Sequence, residues 1–174
     1  MASSGNTSFN ITIDEVIEEA YERCGVRTNA GNDIRSARRS LNLLFSEWGN
    51  RGINLWKVKS KTETLVNGSI TYNTPSDCND VLEAVVTTTG GTQQSLTKVS
   101  RSEYIAIPNK SATGTPSQYY VDRQITPTIS LYLAPDTSAV TNIFYYYLAR
   151  IEDVGAYTNT SDMPFIFFPC MVSG

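Results

Sequence analysis

Residues 12–24 carry the clearest helical pattern in the chain, because apolar side chains recur there at the three- and four-residue spacing of one helix face. The stripe consists of Ile13, Val16, Ile17, Ala20, Tyr21 and Cys24. Thr12 and Glu15 have the spacing of a capping box, and Gly25 suits the left-handed conformation that ends many helices. The pattern predicts an amphipathic helix that begins after Thr12 and ends before Gly25.

A second stripe of the same spacing runs through residues 33–48, after a polar linker at 27–33. Its members are Ile34, Ala37, Leu41, Leu44, Phe45 and Trp48. Two amphipathic helices joined by a short linker are typical of an antiparallel hairpin, here over residues 12–50. Such a hairpin cannot bury both stripes by itself. A third element is therefore expected, which could be a sheet, a C-terminal helix or a neighbouring subunit.

The hydrophobic period changes to two after residue 53. Strands are predicted at 54–66, 69–73, 81–89, 92–98, 118–124, 128–134 and 142–151. Asn67-Gly68 predicts a hairpin between the first two strands. The strand NIFYYYLARI is apolar on both faces and is expected in the centre of a sheet. Ser100 and Glu103 repeat the capping-box spacing and predict a short helical turn.

The last residues, 162–174, return to a helical pattern. Asp162 is expected to cap this helix, with Pro164 at an early position and a kink at Pro169. The apolar run reaches Gly174 without a closing signal, so we expect the helix to continue in the natural polypeptide. The fold class predicted by these patterns is α+β. An antiparallel β-rich lobe over 54–155, a sandwich or barrel-like structure, is inserted into a helical bundle within one composite domain.

Charged residues are distributed in blocks of opposite sign. Net charge is -3, but residues 1–22 contain five acidic and no basic side chains, whereas residues 23–61 contain nine basic and two acidic ones. The acidic block of the first helix and the basic cluster of the second supply candidate contact residues. These are Glu15, Glu18, Glu19, Glu22, Arg35, Arg38 and Arg39. Blocks of opposite sign pair within one chain or between copies, and the residues alone leave both open.

Candidate chemistry is sparse. The chain contains no histidine, which excludes Ser-His-Asp and Cys-His catalysis, and its three cysteines have no metal-ligand spacing. Phosphate-binding glycine loops are absent, so we predict no cofactor and no metal. No secretory signal and no membrane-spanning run are found, and we predict no membrane partner.

Two alternatives to a contact protein remain open at this point. Carboxylate pairs, Glu18 with Glu19 or Glu22 and Glu152 with Asp153, leave a peptidoglycan hydrolase as one of them. The arginine cluster leaves a DNA-binding module as the other. Protein–protein pairing is favoured over DNA binding, because no base-stacking motif accompanies the arginines and most of the chain is acidic.

The segment SEWGNRGINLW, residues 46–56, joins the predicted helices to the predicted strands. We expect Gly49 to end the second helix and Gly52 to complete the turn. Trp48 is expected in the helical core, and Trp56 at the root of the sheet and more exposed. Arg51 is expected either to brace this joint or to contact a partner.

Five stretches, taken in order, resemble one family of proteins. They are FNITIDEVIEEAYERCGV, DIRSARRSLNLLFSEWGNRGINLWKV, LTKVSRSEYIAIPNKSATGTPSQYYVDRQ, YYYLARIEDVG and MPFIFFPCMVSG. Together they resemble the head-to-tail adaptors of short-tailed (podovirus-type) bacteriophages, also called connector, tail tubular protein A-like or packaged-DNA-stabilising proteins. The resemblance covers almost the whole chain, and the order and spacing of the stretches carry it.

The resemblance implies a structural virion protein and not an enzyme. Such adaptors form a ring, usually of twelve copies, between the portal protein and the tail nozzle protein. The ring helps to retain packaged DNA and passes it through a central channel on ejection. Tail fibres are a further implied partner. Synthesis in the host bacterial cytoplasm and a final place at the head–tail junction of the virion are implied. In the family, a C-terminal extension commonly reaches onto the portal, and we expect this extension to be missing from this sequence.

Under this resemblance, the acidic residues of one copy are expected to approach the arginines of the next. Two polar, turn-rich loops are candidate contacts to the nozzle or the portal. The first has Asn67 and Gly68 at its tip, and the second runs from Lys110 through Gly114 to Pro116.

Overall fold

The computed structural model describes residues 4–6, 9–26, 31–156 and 158–173. Part of the predicted linker, residues 27–30, and Gly174 lie outside these ranges. Contacts divide the chain into two compact units. The helical unit consists of residues 1–56 and 151–174, and the β unit of residues 57–150. The predicted α+β class is confirmed.

Four helices lie in the described residues: α1 (Ile13–Arg23), α2 (Gly31–Asn50), α3 (Arg101–Ala106) and α4 (Phe168–Ser173). Short 3₁₀ turns span Leu55–Lys57 and Phe165–Phe167. The strands are β1 (Val58–Thr64), β2 (Thr71–Asn73), β3 (Cys78–Thr88), β4 (Gln93–Ser95), β5 (Thr97–Lys98), β6 (Thr113–Gly114), β7 (Gln118–Asp122), β8 (Thr128–Tyr132), β9 (Ala134–Pro135) and β10 (Val140–Ala149).

Both predicted capping boxes are confirmed. At α1, the Thr12 hydroxyl accepts the backbone N–H of Glu15 at 3.3 Å, and the Glu15 carboxylate accepts the backbone N–H of Thr12 at 2.7 Å. Ser100 and Glu103 form the same pair at the start of α3. Gly25 has a φ of 70° and ends α1, as expected.

The end of α2 differs from the prediction. Gly49 lies inside the helix, and Gly52, with a φ of 76°, is the residue in the left-handed conformation. The N–H of Ile53 donates to the Trp48 carbonyl at 2.9 Å, and the N–H of Gly52 donates to the Gly49 carbonyl at 3.1 Å. This pair of bonds is a Schellman motif. The helix therefore continues past the first glycine, because only the second satisfies the terminal carbonyls.

Of the three elements left open as the cover of the two stripes, the C-terminal helix is one that packs against them. One core cluster joins α1, α2, the segment before α4 and α4 itself. It contains Ile13, Val16, Ile17, Leu41, Phe45, Val154, Met163, Phe168 and Met171. The expected cap at Asp162 is wrong, since Pro164 precedes the 3₁₀ turn that leads into α4. Pro169 lies in the first turn of α4, where a missing N–H costs no helical bond, and it does not interrupt the helix.

The β unit is a sandwich of two four-stranded sheets. The strand orders are β1-β10-β3-β4 and β2-β8-β7-β5, with a small separate pair, β6-β9. Within residues 57–150, all of which are described, neither sheet closes into a barrel. A single cluster of buried residues from both sheets forms the core, including Val81 and Ile143 of the first sheet and Ile129 and Leu131 of the second.

The central position predicted for NIFYYYLARI is confirmed, because β10 pairs with β1 on one side and β3 on the other. The predicted hairpin at Asn67-Gly68 is wrong. β1 pairs with β10 over residues 58–64, while β2 pairs with β8, so the turn carries the chain from one sheet to the other. Long pairing with the apolar strand β10 outweighs the local turn preference, which specifies the bend but not the partner strand.

Candidate subunit interface

The four candidate acidic residues of α1 differ in how they are engaged. Glu15 belongs to the capping box, and the backbone N–H of Thr12 holds the pKa of its carboxyl below the ordinary value. Glu19 pairs with Arg23 one turn later, at 2.8 Å. Glu18 and Glu22 are exposed and form no ion pair within the part of the chain that is described. The acidic charge available to a partner therefore lies on Glu18 and Glu22.

The three candidate arginines of α2 also differ in how far they are exposed. Arg35 and Arg39 are exposed, whereas Arg38 is partly buried. The Arg38 guanidinium donates to the backbone carbonyls of Val154, at 3.4 Å, and of Gly155. On the same helix, the Asn42 side-chain oxygen accepts the N–H of Val154 at 2.7 Å. Arg38 thus fastens the 154–155 loop to α2, while Arg35 and Arg39 remain at the surface.

None of the ion pairs among the described residues connects the acidic face of α1 with the arginines of α2. Of the two pairings left open by the sequence, the one within a single chain is therefore not seen in the described residues. The exposed side chains of opposite sign, Glu18 and Glu22 on α1 and Arg35 and Arg39 on α2, are accessible to another molecule.

Both tryptophans belong to the helical unit. Phe167 packs against both, with ring centroids 5.9 Å from Trp48 and 4.7 Å from Trp56. The Trp56 indole N–H donates to the Asp162 carbonyl at 3.2 Å. Trp48 and Trp56 are both partly buried against the core of the helical unit, and the 3₁₀ turn that contains Trp56 directly precedes β1. The aromatic run before α4 supplies Phe167 as the common partner.

Arg51 forms an ion pair with Glu47 across the last turn of α2. Both side chains are more than half exposed, so the pair is a surface brace of the kind that contributes little to stability.

Asn54, a few residues later, is 1% exposed, and neither polar atom of its side chain has a hydrogen-bond partner among the described residues.

The two candidate loops of the β unit meet at one segment. The Gly68 N–H donates to the Pro135 carbonyl at 2.9 Å, and the Asn67 side chain accepts the N–H of Thr137 at 3.4 Å. Gly114 pairs with Pro135 in the β6–β9 ladder. The sequence shows only two separate polar turns. Their convergence depends on the order of the strands, which the turn residues do not specify.

Gly114 is held close to its neighbours. A Cβ atom at this position would lie 2.9 Å from the Leu133 side chain, so only glycine fits without a shift. Lys110 lies instead against α3, where its ammonium group donates to the carbonyls of Ile105, at 3.2 Å, and Ile107, at 3.0 Å. Lys110 therefore stabilises the end of α3, and its charge is partly used within the chain.

The described residues give little support to a metal site or to a hydrolase site. They bring no three His, Cys, Asp or Glu side chains together in a way that could hold a metal ion. Glu18, Glu152 and Asp153 are exposed, whereas the acid of a glycoside hydrolase needs an apolar pocket that raises its pKa. No helix in the described ranges is both long and apolar enough to cross a membrane.

An exposed apolar residue missed by sequence reasoning is Leu43, which lies off the apolar stripe of α2 and is 67% exposed. The sequence already indicates that Leu43 is exposed, because it follows Arg39 by one helical turn and so lies on the charged side of α2.

Comparison with known proteins identifies the family of the chain. The chain matches the family model described as SU10 adaptor protein over residues 11–172. No curated protein matches the chain. The family match includes both helices with the charged faces, the whole β unit and nearly all of α4. The chain therefore belongs to the SU10 adaptor protein family and is a phage structural adaptor protein.

Proposed function

We propose that this protein is the head-to-tail adaptor of a short-tailed phage. About twelve copies form a ring between the portal and the tail nozzle, which helps to retain packaged DNA and passes it through the channel on ejection. The observation that carries this proposal is the adaptor-family match over residues 11–172. The protein acts by holding its neighbours in position.

The charged helix faces give this ring a contact between copies. A ring needs two different patches that match, because each copy presents one patch to the preceding copy and the other to the next. Glu18 and Glu22 form one patch, and Arg35 and Arg39 form the other. Arg38 is left out because its guanidinium is used within the chain.

The loops around Pro135 provide a second contact, to the nozzle or the portal. Asn67, Gly68 and Gly114 converge there, beside Asp136 and Thr137. Such polar, turn-rich surfaces form adaptable hydrogen bonds with a partner.

The assembly test measures mass on purified components. Protein alone, portal alone and their mixture are compared by native mass spectrometry and analytical ultracentrifugation. We expect a complex that contains about twelve adaptor chains per portal ring. A mixture whose species remain those of the separate components would contradict the proposed function.

Charge reversal tests the contact between copies. Arg35→Glu with Arg39→Glu should reduce ring formation, because each exposed ion pair contributes about 0.2–1 kcal/mol and the loss recurs at every interface. Adding Glu18→Arg and Glu22→Arg to the same chain should restore assembly. Arg101→Glu with Arg150→Glu, a reversal of two exposed arginines of the β unit, is the control for net charge. Equal assembly of the reversed and control variants would argue against this patch.

A further inference from the structure

An exposed leucine interrupts the charged face of α2. Leu43 is 67% exposed and lies one turn after Arg39 and two turns after Arg35. One turn further, Glu47 pairs with Arg51. A single exposed leucine is ordinary on a protein surface. Leu43 is notable because the same unit carries a groove that fits an apolar side chain of this kind.

The groove lies in the helical unit, between α1, α2 and the end of α4. It has a volume of about 230 Å³. Small side chains leave the space open: Ala20 on α1 and Ala37 on α2, with Tyr21, Leu44 and Val172 as larger apolar walls. An apolar cavity of about 150 Å³ already accepts a benzene molecule. The groove is therefore large enough for a leucine side chain.

Charge complementarity identifies the occupant. The α1 helix that forms one wall of the groove carries Glu18 and Glu22 on its exposed side, and neither has an ion-pair partner among the described residues. The Leu43 surface carries Arg35 and Arg39, which are likewise exposed. Glu18 is the helical neighbour of Tyr21 in the groove wall, so an apolar side chain with cations beside it matches an apolar groove with an acidic side chain at its edge.

We propose that Leu43 of one copy inserts into the groove of a second copy of this chain, with Arg35 and Arg39 beside the acidic side of α1. This rests on the proposed ring and names its anchor. Leu43 and the groove are on different faces of α2, so one copy provides the side chain to one neighbour and the groove to the other. Such a head-to-tail contact is the type that closes into a ring.

A native cysteine allows a direct test by cross-linking. Cys24 lines the groove and is an exposed free thiol, and Cys170 is the other exposed one. A donor chain carries Leu43→Cys, Cys24→Ser and Cys170→Ser, together with a mass tag. An acceptor chain carries Cys170→Ser alone and keeps Cys24. A disulfide needs the two Cα atoms within about 4.4–6.8 Å, so it reports close approach of position 43 to the groove.

The two chains are mixed on the portal, oxidised and separated on non-reducing gels. We expect a donor–acceptor dimer that disappears on reduction. A donor with Ile105→Cys in place of Leu43→Cys should not form it, although Ile105, in the β unit, is 63% exposed. Rings that form normally while the mixed dimer is absent would overturn the proposed insertion.

A second variant measures the contribution of the leucine itself. Leu43→Ser should raise the concentration needed for half-maximal ring assembly about tenfold or more, because the apolar contact is lost. Ile105→Ser is the matched control and should assemble normally. Both changes are at exposed positions, so the melting temperature of the free protein should not change.

The outcomes separate the two proposals. Normal assembly of Leu43→Ser, with wild-type rings formed on the portal, would overturn the leucine anchor and leave the adaptor function standing. Failure of the wild-type protein to assemble would overturn the adaptor function and the anchor together.

Discussion

The two compact units differ in how completely they bury their apolar side chains. The core of the β unit contains sixteen buried residues from both sheets. The described residues of the helical unit bury nine and leave ten more only partly covered. In α2, the only side chains described as buried are Leu41 and Phe45. The β unit therefore completes its own core, whereas the helical unit leaves more apolar surface accessible.

The reason for the difference is geometric. Each sheet of the β unit has an inner face that the other sheet covers, so alternate residues such as Ile143 and Tyr145 are buried by their position in the strand. Two long helices and one short helix cannot enclose each other in this way. The groove and the partly covered apolar residues of the helical unit are consequences of that incomplete enclosure. An adaptor needs such surfaces for its partners.

Buried polar groups do not follow this division. In the β unit, the Tyr119 hydroxyl donates to the Leu82 carbonyl at 3.0 Å, and burial, with smaller contributions from Asp80 and Glu83, raises the pKa of Tyr119 to about 12. The buried Tyr145 hydroxyl of the same unit has no partner among the described residues, and the same is true of buried side-chain polar atoms of Asn54 and Ser161 in the helical unit. Unsatisfied groups of this kind weaken a core.

Removal of core volume from the sandwich should have the largest effect. Ile143→Ala should lower the free energy of unfolding by about 3–4 kcal/mol, because Ile143 is fully buried between the sheets. Urea denaturation followed by far-UV circular dichroism measures this loss. Leu148→Ala, on the opposite face of β10 and partly exposed, should cost about 1 kcal/mol. Similar losses for both variants would contradict the contrast drawn between buried and exposed faces.

Within the helical unit, neighbouring arginines should behave differently. Arg38→Ala should lower the free energy of unfolding by about 2 kcal/mol, because its charged side chain binds the carbonyls of Val154 and Gly155. Arg39→Ala, at an exposed position, should change it by less than about 0.5 kcal/mol. Tryptophan fluorescence is the suitable probe, since both tryptophans lie in this unit. If the two variants lose equal stability, Arg38 does not fasten the loop.

The smallest expected effect is a loss of stability of the β unit at acid pH. Burial alone would raise the pKa of Asp80, but hydrogen bonds from Arg123 and Lys98 outweigh burial and hold this pKa below its ordinary value of 3.8. The folded state therefore binds fewer protons at Asp80 than the unfolded state. The stabilisation is present above about pH 4 and is lost as the pH falls through the lowered pKa.

Urea denaturation at several pH values between about 2 and 6 tests this expectation, with circular dichroism as the signal. Asp80→Asn should be less stable at neutral pH and lose less of its stability on acidification than the wild type. Asp122→Asn is the control for the loss of one carboxylate. If Asp80→Asn loses as much stability on acidification as the wild type does, other groups cause that loss.

Local features were predictable because they depend on neighbours in the sequence. The capping boxes at Thr12 and Ser100, and the left-handed Gly25, depend on residues a few positions apart, and all three are found where expected. The α+β class followed from the change of hydrophobic period along the chain. The place of β10 between two strands followed from its apolar residues on both faces.

Features that depend on distant partners were not predictable in the same way. The turn at Asn67-Gly68 was expected to join paired strands, but β1 and β2 belong to different sheets. Arg38 was grouped with Arg35 and Arg39, although its partners, Val154 and Gly155, are more than a hundred residues away. Trp56 was expected beside the strands, because its own segment does not show that its ring packs against Phe167, which is also more than a hundred residues away.

The sequence by itself determined the helices and their caps, the α+β class and the opposite charges of the first two helices, since spacing within one segment is sufficient for each. Only the tertiary structure decided which charges are used inside the chain, which strands pair and where an apolar groove remains open beside α1. These depend on segments far apart in the sequence, whose approach is governed by the packing of two whole cores.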